Sequence, residues 1–287
     1  MNPYYRAKHR LKVLRWKMRR AETALRWGPR VLAASPKVFG NAMPKSGSHL
    51  LSQILNGLVR VGPFVNPGFP PVNRMEDNQS LPEGEVLENL LSMRSGDIRY
   101  GYLHSEEPYF SLLAASGWAT VFLFRDPRDM LVSHVFYATE MNPDHGMHRY
   151  YTEVLGSMEE RLNAAIVGVK EPGYELPNVR QRYEKCLDWL NQPDVLPLRF
   201  EDLVLKQDIT LNHLLDYIEQ RGSQLVGLRP HAIAVLKGSI APQKSGTYRK
   251  GQPGDWREHF SESNKELFKS VAGDLLVQLG YEQNDMW

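Results

Sequence analysis

Lys45, Ser46, Gly47 and Ser48 follow one another in the stretch KVFGNAMPKSGSHLLSQIL, between a short apolar run and a helix-like pattern. A loop that enters a helix presents unpaired N–H groups and the positive end of the helix dipole. Gly47 lets the backbone approach a bulky anion, Ser46 and Ser48 add hydroxyl donors, and Lys45 adds a mobile charge. These are the components of an anion cradle. The order differs from G-x-x-x-x-G-K-[ST], because here the lysine precedes the glycine, which argues against an ordinary ATP or GTP site with a Mg²⁺-binding serine. A capped helix start is the plainer reading of the same residues.

Two further stretches carry cations in places that ask for an anion. FLFRDPRDMLVSHVF puts Arg125 at the end of a very apolar run and Ser133 eight residues on. An arginine leaving a buried strand is costly without an anionic partner; pairing with Asp126 or Asp129 is the structural alternative. GTYRKGQPGDWREHF places Arg249 and Lys250 beside Gly251, with Gly254, Asp255 and Trp256 following. Two cations next to glycine suit a flexible lid over phosphates, or simply a solvated basic loop.

The elements that must position these residues alternate. Val38–Met43 reads as a buried strand and Gly47–Val61 as a helix. The proline-rich VGPFVNPGFPPVNR is a loop. EGEVLENLLSMRSG is a short helix, RYGYLH an edge of strand, and WATVFLFRDP a strand ending at Arg125. PRDMLVSHVFYATEM is a helix with Pro127 in its first turn. NVRQRYEKCLDWLNQ reads as helix, VLPLRFEDL as strand, and LNHLLDYIEQRG and SNKELFKSVAGDLLVQLG as helices. This alternation predicts an α/β fold with a parallel sheet flanked by helices on both faces. Ligands then gather at the carboxyl ends of the strands.

With these three stretches the chain resembles the sulfotransferases that use 3′-phosphoadenosine 5′-phosphosulfate (PAPS). Pro44-Lys45-Ser46-Gly47-Ser48-His49-Leu50 is similar to the family's P-K-S-G-T-T-W loop for the 5′-phosphosulfate. Arg125 and Ser133 match its arginine and serine for the 3′-phosphate. Arg249 through Arg257 matches R-K-G-x-x-G-D-W-K/R. The resemblance runs from about Lys37 to about Gly280 and implies a P-loop-like parallel sheet. It implies that Lys45 contacts the bridging or leaving oxygen, and that Ser46, Gly47, Ser48 and His49 belong to the 5′-phosphate turn. Arg125, Ser133, Arg249, Lys250 and Gly251 would hold the 3′-phosphate. Leu50 replaces the family's adenine-stacking tryptophan, and Phe200 replaces a tyrosine in LRFEDL; Phe200 can still stack on a base.

The activity so implied is transfer of a sulfuryl group from PAPS to a hydroxyl, less readily an amine, of a small or amphiphilic acceptor, leaving 3′,5′-diphosphoadenosine (PAP). Such a transfer demands positioning and charge stabilisation, the role of Lys45 and the turn amides. By the resemblance the base is His104 in Tyr102-Leu103-His104, with Glu106 or Glu107 as substitute. No paired carboxylates call for a metal. His49, His134 and His145 read as structural or substrate-side and are given no chemistry. The rival readings are an ATP-using P-loop phosphotransferase and a non-catalytic nucleotide-binding scaffold at a membrane surface. The aromatic segments 62–78 and 137–153 are the expected acceptor-facing ones.

With 287 residues, 42% of them apolar, and a mean hydropathy of -0.44, the chain suits one large domain. No apolar run approaches the roughly 20 residues of a membrane span, no apolar segment follows the basic N-terminus as in a secretory signal, and Cys186 is the only cysteine. These features suggest a cytoplasmic protein. The net charge of +2 is uneven: residues 1–30 hold ten Lys or Arg and one acid, leaving 25 basic and 32 acidic residues, about −7, in the remainder. Residues 1–30 read as a basic amphipathic extension and 31–287 as a single sulfotransferase-like domain. Leu11, Leu14, Trp16, Met18, Leu25 and Trp27 form an apolar stripe among the arginines. That stripe either packs on the domain or makes a peripheral membrane contact. Nucleic acid is not expected as a partner, and a homodimer is left open.

Overall fold

In the computed structural model, residues 3–225 and 227–287 are described, with side chains from Lys8 onward. Four strands form the main sheet: β1 (Lys37–Ala42), β2 (Ile98–Gly101), β3 (Trp118–Phe124) and β6 (Val195–Arg199). They run in the order β2-β1-β3-β6, and every pairing is parallel. β2 lies at an edge, as its short polar sequence indicates. A separate antiparallel pair, β4 (Val169–Glu171) and β5 (Tyr174–Leu176), turns at Gly173.

A parallel strand covered on both faces reads as a continuous apolar run, and all seven residues of β3 are buried. Alternate side chains of one strand feed two cores. Phe39, Trp118, Phe122 and Phe124 join one cluster, while Val38, Ala42, Ala119, Val121 and Leu123 join the other. The expected α/β architecture, helices on both faces of a parallel sheet, is therefore the observed one.

Register positions the site. Ala42 lies opposite Leu123, and Phe124 opposite Arg199, so the chain leaves β1, β3 and β6 at one level and on one edge. β1 runs through a turn into α3 (Ser48–Val61), and β3 into α6 (Pro127–Phe136). β6 runs directly into the helix Phe200–Leu205, so Phe200 begins a helix instead of continuing a strand. α6 passes into a π-helical turn at Tyr137–Met141, where the sequence suggested an unbroken helix; such turns re-aim side chains. The segment from Asn178 to Gln192 breaks into Val179–Glu184 and Asp188–Asn191. The helix Arg229–Lys237 and the three-residue strands β4 and β5 were not read from sequence; strands that short show no periodicity.

The N-terminal helix α1 (Pro3–Trp27) packs on the body through one face only. Trp16 Nε1 donates to Asp97 (2.9 Å), Arg20 pairs with the same carboxylate (2.7 Å), and Arg19 donates to the Asn66 carbonyl (2.8 Å). The single stripe read from sequence is thus split: Trp16 is buried, whereas Leu11, Leu14, Met18 and Leu25 point outward and are exposed.

Candidate active site

The turn between β1 and α3 has two left-handed residues, Lys45 (φ 65°) and Gly47 (φ 94°). At Gly47 a Cβ would fall 2.6 Å from the Phe200 ring, so this position tolerates no side chain. Ser46 is fully buried; its hydroxyl donates to the Met43 carbonyl (2.6 Å) and lies 3.1 Å from that of Leu123. Ser46 thus braces the turn and does not present its hydroxyl as a ligand donor, unlike the expectation. The first intrahelical bond of α3 is Leu51 N–H to the Gly47 carbonyl (3.1 Å). The amides of Ser48, His49 and Leu50 precede it, and together with the helix dipole they form an anion-binding end.

Lys45 Nζ lies 3.7 Å from the centre of the Tyr137 ring. Burial, with Arg125 adding repulsion, pushes its pKa down to about 8. Ser48 Oγ shares a hydrogen bond with the Tyr102 hydroxyl (2.9 Å). Arg125 leaves β3 with only 7% of its surface exposed. Its contacts are long: 3.4 Å to the Lys45 carbonyl, 3.5 Å to that of Gln252, and 3.8 Å to Asp129. Its Nε has no partner. The two carboxylates that could have neutralised it are committed elsewhere. Asp126 pairs with Arg128 (2.7 Å), and Asp129 accepts the amides of Gly254 (2.7 Å) and Trp256 (2.8 Å). Arg125 is therefore a buried cation with no anion nearer than Asp129 at 3.8 Å, stacked 4.4 Å from the centre of Phe200.

Asp129 also pins the third segment. Through its two backbone contacts it holds the 249–256 loop over the ends of β1 and β3. Within that loop Arg249 and Lys250 both pair with Asp255, Lys250 at 2.7 Å. The Arg249 guanidinium lies 4.1 Å from the centre of Phe136.

A single open cavity of about 1120 Å³ collects these parts. Its walls include Lys45, Gly47, Ser48 and His49 from the turn, and Arg125 and Ser133 from β3 and α6. Phe200 from its helix and Arg249, Lys250 and Gly251 from the loop also line it. So do Tyr102 and Tyr137, next to Ser48 and Lys45, and Phe69, Pro70, Met75 and Tyr100. Lys12 of α1 also reaches the wall.

His104 is not part of that wall. The buried Asn41 amide clamps Leu103, donating to its carbonyl (2.9 Å) and accepting its N–H (2.8 Å). The Leu103 carbonyl also accepts from Trp189 Nε1 (3.1 Å). So fixed, the segment sends Tyr102 into the cavity. His104 comes out half-exposed, with its Nδ1 3.8 Å from Glu106. Burial and then Lys185 keep its pKa below the usual value.

The imidazoles on the cavity wall are His49, His134 and His145. Burial lowers the pKa of each. The Lys45 charge comes next for His49 and His145, while Arg182 comes next for His134. Nδ1 of His145 accepts the Met147 amide (3.1 Å), which leaves Nε2 as the protonated nitrogen of the neutral ring. The sequence reading gives none of Tyr102, Tyr137, His134 and His145 a chemical role and takes His49 only as part of the 5′-phosphate turn; the segment 137–153, expected to face the acceptor, holds Tyr137 and His145.

The family model described as "Sulfotransferase domain" matches residues 35–280. No curated protein matches the chain. Among solved structures, mouse sulfotransferase SULT7A1 complexed with PAP is similar at a TM-score of 0.59 and 13% identity, over 88% of each chain. Retinol dehydratase in complex with androsterone and the inactive cofactor PAP gives 0.54 and 15%, over 84% of this chain and 80% of that one. Retinol dehydratase with retinol and PAP gives 0.53 and 16%, over 86% and 84%. At such identities the likeness is one of fold, and the family match spans most of the chain: it belongs to the sulfotransferase family.

Proposed function

We propose that the protein transfers a sulfuryl group from PAPS to a hydroxyl of a small or amphiphilic acceptor. The observation that carries this reading is Arg125, a buried cation whose neighbouring carboxylates are committed elsewhere, in the same cavity as Lys45, Arg249 and Lys250. Cations from three distant segments around one space suit a nucleotide with two separate phosphates. Residues 31–287 would act as a single domain, with α1 seated across it.

PAPS supplies an activated sulfuryl group and PAP as the leaving group. Lys45 and the first amides of α3 would hold the 5′ end, where negative charge grows as the S–O bond breaks. Arg125, Ser133 and, after leaving Asp255, Arg249 and Lys250 would hold the 3′-phosphate. Phe200, lying between Gly47 and Arg125, offers an adenine-sized apolar surface. Tyr137, against Lys45, and Tyr102, bonded to Ser48, would orient the hydroxyl.

The proton acceptor must reach that hydroxyl within hydrogen-bond distance. His104 does not line the cavity. His145 offers a donor nitrogen. We therefore place the base at His49, which stands in the first turn of α3 beside Lys45 and whose lowered pKa keeps it neutral near pH 7.

Thermal shift with PAP, against ATP and Mg²⁺, tests the cofactor; comparable stabilisation by ATP would refute it. Incubation with PAPS and a panel of lipid, phenol and sugar alcohols, read as the mass gain of one sulfuryl group, tests the reaction. In the same assay His49→Ala should lose most turnover and His104→Ala should keep it, each with PAP binding retained; the reverse result returns the base to His104.

A further inference from the structure

The outward face of α1 belongs to no core. Leu11 and Leu14 are 56% exposed, Met18 55% and Leu25 88%. At 100° per residue these four fall within about 60° of one another. The opposite face is occupied: Trp16 is buried with Val65 and Leu32, and Val13, Ala24 and Phe69 pack around it. With Trp16 and Arg20 both held by Asp97, the helix cannot roll to bury its outer stripe. The stripe is flanked by Arg10 and Lys17 on one side and Arg15 on the other. These three are exposed and form no ion pair among the described residues. Glu22, the only acid on the helix, lies at the Arg15 edge of the stripe, so the border carries a net positive charge from three cations against one acid.

An apolar strip bordered by cations on an otherwise polar helix is the arrangement of a helix lying in a membrane interface, with leucines in the acyl boundary and cations at anionic headgroups. No helix among the described residues is long and apolar enough to cross a membrane. The cationic border selects an anionic bilayer over a neutral one, and over an apolar protein partner. The same helix reaches the cavity wall through Lys12, which pairs with Glu76 of the acceptor-side loop.

We propose that α1 docks the protein flat on an anionic lipid surface through Leu11, Leu14, Met18 and Leu25, with Arg10, Arg15 and Lys17 at the headgroups. This claim does not depend on the chemistry of the cavity, and its test uses no turnover.

The experiment is co-sedimentation of the full chain with phosphatidylcholine vesicles, with and without phosphatidylserine. Binding is expected only with phosphatidylserine and should weaken as salt rises. The triple variant Arg10→Gln, Arg15→Gln, Lys17→Gln should bind on the order of a hundredfold more weakly, about fivefold per cation removed. Leu14→Ser with Met18→Ser should also release the protein. All five positions are exposed, and an unchanged melting temperature and PAP-induced shift would show that the fold is intact. Equal binding to both vesicles, salt-insensitive binding, or none would overturn the proposal. So would a dimer in sedimentation velocity that Leu14→Ser with Met18→Ser dissolves.

Discussion

Raising the pH should weaken PAP binding through Lys45 alone. In the free protein its pKa stands at about 8, lowered first by burial and then by Arg125. Below that value the ammonium is formed before the ligand arrives; above it, the ammonium must be formed on binding. A bound polyanion favours the charged form, so the pKa rises in the complex, and binding takes up a proton between the two values. Affinity should be level below pH 8 and then fall towards about tenfold per pH unit. Between about pH 7.5 and about pH 9.5 the expected loss is roughly 25-fold. The neighbouring groups leave this window clear. His49 and His145 titrate below the usual histidine value, and the Cys186 thiol is pushed up to about 12 by burial. The ligand phosphates are fully ionised well below the window, their second pKa being about 6. Isothermal titration of PAP across this range reads the slope directly. Lys45→Arg supplies the control, since a guanidinium stays charged throughout, and its profile should be flat. A level profile for the wild type, or an equal slope in Lys45→Arg, would refute the assignment of Lys45 to the phosphate end.

Gly47→Ala should cost roughly 2–4 kcal/mol, from a left-handed backbone and a Cβ 2.6 Å from the Phe200 ring, and should abolish the PAP-induced rise in melting temperature. Asp129→Asn keeps the shape but can accept with only one oxygen, leaving the Gly254 or Trp256 amide unpaired. A loss of about 2 kcal/mol, faster hydrogen exchange in residues 249–256 and weaker PAP binding are expected; unchanged exchange would show that this carboxylate does not hold the loop. Asp97→Ala removes the acceptor of Trp16, Arg20 and the Arg94 amide. About 3 kcal/mol should be lost, with exchange protection falling in α1 before the sheet, which hydrogen-exchange mass spectrometry resolves.

Much of this site was legible because its chemistry is local. A turn with glycine, serines and lysine before a helix announces its anion-binding end whatever surrounds it, and an arginine closing a strand of six apolar residues and one threonine announces an unmet charge. The strands were legible for the same reason: burial on both faces leaves an uninterrupted apolar run. Histidine 104 shows the limit of such reading. Its place after β2 is visible in sequence, but the backbone just before it is held by the Asn41 amide, which clamps Leu103 from 62 positions earlier in the chain. Ser46 likewise looked like a ligand donor until two carbonyls, from Met43 and Leu123, were found to occupy its hydroxyl. Tyr137, which lies over Lys45, begins a π-helical turn, and such turns leave no apolar period.

Residue order alone determined the α/β alternation, the three cation-bearing segments and the family resemblance, because each rests on neighbours within about ten positions. Tertiary structure decided which of those groups face a common cavity, that Asp126 and Asp129 give their hydrogen bonds to Arg128 and the loop and leave Arg125 only the 3.8 Å contact with Asp129, and that α1 buries Trp16 while leaving its leucines outside. Those outcomes depend on strand register and on hydrogen bonds between segments far apart in the chain, and such partners leave no trace in local spacing.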